Sequence, residues 1–79
     1  MERHEIKKRV SNVVARVLAI DPAEVLPASN FVFDLGVDSM RSIELIAGFE
    51  EEFGIEMDED KARDVRTADG AMNFIAPLV

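Results

Sequence analysis

Ser39 is the residue of this chain best placed to do or receive chemistry. It stands in the run Asp34-Leu35-Gly36-Val37-Asp38-Ser39-Met40. A serine nucleophile needs a general base, usually a histidine, to take its proton. The only histidine is His4, near the start of the chain and remote from Ser39 in sequence. A nucleophile elbow would read Gly-x-Ser-x-Gly, whereas the run here is Val37-Asp38-Ser39-Met40-Arg41. There is no cysteine, so neither a thiolate nucleophile nor a zinc-thiolate site is available. Asp58 and Asp60 hint at a calcium loop, but Ala62 and Arg63 stand where such a loop requires a ligand and a glycine. Ser39 therefore reads as a point of attachment, with no catalytic or metal role assigned to any residue.

The segments around Ser39 must present it. Gly36 permits a turn with positive φ, and both Asp38 and Ser39 are good helix N-caps. A helix over about 39–53 follows, ending before Gly54 as its C-cap. Met40, Ile43, Ile46, Ala47 and Phe53 read as one side of it, and Glu44, Glu51 and Glu52 as the other. Gly48 inside this helix costs roughly 1 kcal/mol relative to alanine. Close approach of another helix or of a bound chain would offset that cost.

Upstream, Ile6, Val10, Val13, Val14, Val17 and Leu18 recur at helical spacing and predict a first helix over about 2–18. Asp21-Pro22 forbids its continuation, and Pro22 to Val25 can form a short helical turn. A connection over 19–38 follows through Pro27, Ser29 and Asn30, with Val25, Leu26, Phe31, Phe33 and Leu35 expected to pin it to the core. Connections this long are often functional. Downstream, Ile55 and Met57 are expected to be buried. Asp58-Glu59-Asp60 caps a short third helix over about 58–65, with Ala62 and Val65 facing inward. Thr67 caps a fourth over about 67–76, with Ala68, Ala71, Met72 and Ile75 inward and Pro77 near its end. The fold class is all-α: a four-helix bundle with a long loop between helices 1 and 2 and a short third helix.

Length and charge narrow the function further. A chain of 79 residues, 48% apolar, is one small domain, 1–79, with one core and no room for separate substrate and cofactor pockets. Net charge is −7. Residues 1–20 carry +3 and the remainder −10, so the Ser39 helix lies in the acidic part. Nucleic acid is excluded there, and a basic protein surface is favoured. The charged opening Met1-Glu2-Arg3-His4-Glu5 does not read as a signal peptide, and no apolar run approaches a membrane span. A cytoplasmic monomer without membrane contact is the expectation.

The run Asp34-Leu35-Gly36-Val37-Asp38-Ser39-Met40, followed by Ile43-Glu44-Leu45, resembles the acyl carrier protein family, whose pattern is Asp-Leu-Gly-x-Asp-Ser-Leu before a helix of aliphatic and glutamate residues. The likeness extends to Asp21-Pro22-Ala23-Glu24-Val25, to Glu50-Glu51-Glu52-Phe53 and to the start of the fourth helix at Thr67. It implies a four-helix bundle of acyl-carrier type. It also implies that Ser39 accepts 4′-phosphopantetheine from coenzyme A through a separate phosphopantetheinyl transferase, and that the arm then holds acyl groups as thioesters. The thiol arrives with the cofactor, so the absence of cysteine is harmless.

Carried over position by position, Asp38 would contact the transferase and Met40 would be an apolar partner contact. Glu44 and Glu51 would meet basic docking patches on acyl-transferring and acyl-modifying enzymes, with Val37 and Ala47 on the same face. Ile46, Ile55, Ala62 and Val65 would line a space for the acyl chain. Two departures stand out. Arg41 replaces a usually acidic residue of bacterial fatty acid carriers, and Arg63 and Arg66 add positive charge around the third helix. They suggest a specialised carrier for a dedicated pathway. The alternatives are a peptidyl or polyketide carrier, although peptidyl carriers commonly have a second glycine where Val37 stands here, or an unmodified interaction domain.

Overall fold

The computed structural model describes residues 1–26 and 28–79; Pro27, expected in the long connection, lies outside the described residues. Four α-helices follow in order: α1 (Arg3–Leu18), α2 (Ser39–Phe53), α3 (Glu59–Ala62) and α4 (Ala68–Ile75). Single 3-10 turns occupy Pro22–Glu24 and Ala76–Leu78. The all-α bundle with a long first connection and a short third helix is what the sequence predicts.

The core lies where α1 meets α2 and α4. Ile6, Val10, Val13 and Val14 on α1 and Ala71 and Ile75 on α4 are essentially inaccessible. Because α1 is rich in β-branched residues, this packing and not intrinsic propensity holds it helical. Gly48 explains itself here. A Cβ on it would come 2.9 Å from Val13 Cγ1, so the missing side chain lets α1 and α2 close on each other.

The helix ends follow capping chemistry. The Asp21 carboxylate accepts from Ala23 N at 2.8 Å, Asp58 from Asp60 N at 2.9 Å and Thr67 Oγ1 from Gly70 N at 2.9 Å. Gly54 closes α2 in the left-handed region at φ 63°, and Ala19 closes α1 in the same region at φ 56°. An alanine there is unusual, because a Cβ disfavours that conformation.

Two expectations need correction. The third helix spans Glu59–Ala62 only, not 58–65. Beyond it the chain turns, with Val65 N donating to Ala62 O, and opens so that Asn30 and Thr67 form an antiparallel bridge and Phe31 N donates to Arg66 O at 2.8 Å. That extended pairing competes with further helix and wins. Of the expected pins of the long connection, Val25 and Phe31 are buried and Leu35 half-buried, but Leu26 is 60% and Phe33 88% exposed. Local hydrogen bonding fixes the segment in their place. Asn30 Oδ1 accepts from Val32 N and Phe33 N, and Asp34 Oδ2 accepts from Asn30 N at 2.7 Å.

Candidate functional site

The Asp34 to Met40 run is an elbow that delivers the chain to the first turn of α2. Asp34 N and Leu35 N both donate to Asn30 O, Gly36 sits at φ 70°, and Val37 N donates to Phe31 O. Val37 is only 4% exposed and packs into the core beneath this elbow. The expectation that its side chain shares the partner face is therefore corrected: Val37 anchors the turn from inside.

Either Asp38 or Ser39 could have capped α2, and Asp38 does so. Its Oδ1 accepts from Arg41 N at 2.8 Å, and its backbone is extended. Ser39 becomes the first helical residue, exposed, with its hydroxyl released from capping duty. Ser42, one turn on, donates its hydroxyl to Asp38 O at 3.0 Å. His4 lies elsewhere, in a depression with Glu5, Arg9 and Glu52, and is within ion-pair distance of Glu2. The geometry thus presents a free hydroxyl at a helix N-terminus with no histidine beside it.

Ser39 borders a cleft of about 510 Å³ between Ile43, Ala47 and Glu50 on α2 and Glu59 and Arg63 on the α3 side. Behind it, a smaller space of about 120 Å³ is lined by Leu45, Ile46, Phe49, Met57, Ala62 and Val65. Ile46, Ser42 and Arg63 belong to both, which joins the two spaces. Three of the four residues expected to line an internal space are there. Ile55 is not among them: it is half-buried against the core at the far end, just past Gly54.

The apolar side read for α2 also needs correction. Its buried residues are Leu45, Gly48 and Phe49, whereas Met40 is 70% and Ile43 68% exposed. The helix carries two apolar stripes, and the outer one flanks Ser39 together with exposed Asp38, Glu44, Ala47 and Glu51. Sequence reading missed Ile43, Glu50, Ser42 and Arg63 as cleft residues. The available signal was the surplus of apolar residues on α2 over what one inward stripe can use. Arg41 does not simply point outward: its Nη1 donates to Val17 O at 2.6 Å, at the end of α1, and lies 3.5 Å from Glu44 Oε2. Arg41 thus reaches back to α1 while its side chain stays 48% exposed.

Among the described residues no group of three or more histidine, cysteine, aspartate or glutamate side chains is placed to hold a metal ion, and no helix is long and apolar enough to cross a membrane. Ser39 is thus an exposed serine at a helix N-terminus, beside a cleft and away from the one histidine.

Comparison with known proteins agrees. The family described as "Phosphopantetheine attachment site" matches residues 8–75. The chain is 40% identical over 75 residues to an acyl carrier protein of Thermosynechococcus vestitus, covering 95% of this chain and 93% of that one. It is also 40% identical over 76 residues to acyl carrier protein 2, mitochondrial, of Arabidopsis thaliana, covering 96% of this chain but 60% of the relative. A solved structure from Mycobacterium tuberculosis, described as a candidate acyl carrier protein, has the same fold, with TM-score 0.86 and 24% identity over 94% of this chain and 99% of that one. The fold is that of an acyl carrier protein, a carrier class of domain. The chain belongs to the acyl carrier protein family. Membership brings a covalently attached phosphopantetheine prosthetic group. The residues present fit such a group: an exposed hydroxyl to bear it, helix N–H groups to meet its phosphate, and a cleft to lay it along.

Proposed function

We propose that Ser39 bears the 4′-phosphopantetheine arm, and that the protein carries acyl thioesters on it between enzymes of fatty acid or related lipid and secondary-metabolite synthesis. The observation that carries this reading is the division of labour at the start of α2, where Asp38 takes the cap and leaves the Ser39 hydroxyl exposed. A phosphodiester formed there meets the positive end of the helix dipole. The arm supplies the thiol on which acyl groups travel; the chain itself supplies the oxygen, the electrostatics of the helix end and the docking surface.

Partners dock on the outer stripe of α2. Met40 and Ile43 offer apolar contact, and Asp38, Glu44 and Glu51 attract basic patches on the transferase and on acyl-transferring enzymes. Each exposed ion pair contributes under about 1 kcal/mol, which suits a carrier that must leave each enzyme after its turn.

Intact mass after incubation with coenzyme A, Mg²⁺ and a broad-specificity phosphopantetheinyl transferase tests the site. A gain of one phosphopantetheine in wild type but not in Ser39→Ala is expected. A gain in Ser39→Ala would move the site elsewhere. No gain with several transferases would leave an unmodified interaction domain.

A further inference from the structure

Phe33 is the most exposed large apolar side chain among the described residues, at 88%, and Val32 beside it is 57% exposed. Phe31, two residues earlier, is buried in the core. Phe33 instead shares a surface depression with Val32, Arg63 and Arg66. No carboxylate of the described residues lines that depression. The backbone beneath these side chains is fixed. Asn30 Oδ1 accepts from Val32 N and Phe33 N at 2.9 and 3.0 Å. The same segment is tied to the chain after α3 by the bridge between Asn30 and Thr67 and by the bond from Phe31 N to Arg66 O. Phe33 and Arg66 therefore stand on two backbone segments bonded to each other, and little order is left to impose when something binds.

The positive charge of this patch is largely uncommitted. Arg66 is exposed, and none of the ion pairs among the described residues includes it. Arg63 reaches only Asp60, at 3.9 Å, with side chains 74% and 91% exposed. Of the other acids near in sequence, Asp34 already accepts from Asn30 N through Oδ2, and Asp64 is exposed between the two arginines. Residues 21–79 as a whole carry −10, so the patch is a basic spot on an acidic surface. That contrast selects the occupant. A second copy of the chain, or a flat anionic membrane, would set a broad negative surface against a net charge of −7. A narrow acidic segment reaches the two guanidinium groups while most of the molecule's carboxylates stay screened from it by salt. Apolar side chains on the same segment would cover the ring, and aromatic and arginine residues are the usual anchors of such contacts.

We infer that Phe33, Arg63 and Arg66 form a second docking surface, which takes an acidic segment of a partner protein whose apolar side chains seat against Phe33. It is opposite in charge to the outer stripe of α2, so it serves a different kind of partner from enzymes with basic patches. It does not depend on whether Ser39 bears the arm.

The test compares full-length wild type with Phe33→Ser and with the double variant Arg63→Gln/Arg66→Gln, after thermal melts establish that each folds. A phage library of random peptides is selected on wild type, with the double variant as counter-selection. The selected sequences are expected to be rich in aspartate and glutamate together with aromatic or aliphatic residues. A synthetic peptide from that pool is expected to bind wild type about five- to thirty-fold more tightly than either variant, the loss on truncating an interface anchor, and to bind less tightly as salt rises. In wild type it should shift the amide resonances of Val32, Phe33 and Arg66, which locates the contact without any variant. A pool without acidic residues, equal binding by the variants, or shifts confined to α2 would overturn the assignment. So would self-association of wild type, or its binding to phosphatidylglycerol vesicles, if lost in the double variant, because a second copy or a lipid surface would then occupy the patch.

Discussion

On its inner face α2 sets Leu45, Gly48 and Phe49 against the rest of the core, and these are 3% exposed or buried throughout. On its outer face the same helix holds Met40 at 70% and Ile43 at 68% exposure. Both faces are apolar, yet only one is covered. The inner face meets α1, a helix of 16 residues, at van der Waals distance. The outer face borders α3, which has 4 residues and leaves the cleft beside Ile43 and Ala47 open. Stability is therefore concentrated where α1, α2 and α4 meet. Recognition is left to the side that the short helix does not seal. Uncovered apolar area of this kind on a small domain marks a contact surface.

The contrast can be broken most severely from the inner side. Ile75 is fully buried, so Ile75→Ala should lower unfolding free energy by about 2–5 kcal/mol, a large share of what a domain of this size possesses; urea titration would read the loss directly. A smaller loss follows from crowding the same interface. Gly48→Ala places a methyl 2.9 Å from Val13 Cγ1. Overpacking costs about 1–3 kcal/mol, against about 1 kcal/mol gained in helix propensity. The variant should melt below wild type, and the combined Gly48→Ala, Val13→Ala protein should show less than the sum of the two losses. Additive losses would show that the two residues do not share the contact.

Asp38 lies on the boundary between the two faces. Asp38→Ala removes the cap of α2 and should cost about 1 kcal/mol, with Asp38→Asn recovering most of it; thermal melts of the three proteins make the comparison. If Asp38→Asn regains stability but not the rate of phosphopantetheine transfer, the charge serves the transferase and the geometry serves the helix. The outer side gives the smallest change in stability. Ile43→Ser should shift unfolding by no more than about 0.5 kcal/mol while slowing acyl transfer by partner enzymes. A melt depressed as far as that of Gly48→Ala would show that the outer stripe is structural after all.

Most of this division could be seen in the sequence on one side only. The stripes of α1 and α4 have a single period and a single destination, so Ile6, Val10, Val13, Ala71 and Ile75 read correctly as core. The caps at Asp58 and Thr67 were equally legible, because the side-chain bond is local. Two apolar stripes on α2 cannot be ranked by periodicity alone, and Met40 and Ile43 were placed with Phe53 on that account. The end of α3 depends on a bridge between Asn30 and Thr67, partners far apart in the chain. Leu26 and Phe33 looked like core plugs by type, but the backbone bonds around Asn30 and Asp34 already hold the segment. Ser39 itself was legible from its neighbours, whereas the cleft beside it required Arg63 and Ile43 to be seen together.

The ends of α1 and α2 bear on how far selection has refined the protein. Both helices finish on a residue of left-handed conformation, at φ 56° and φ 63°, but only α2 has the glycine that takes it without strain. Alanine in that region costs about 1–2 kcal/mol, and the extra freedom that glycine gives the unfolded chain takes back about 0.4–1 kcal/mol. One exposed substitution, Ala19→Gly, would thus leave a small net gain. The protein sits below its own ceiling, as expected where selection asks only that a fold clear a threshold.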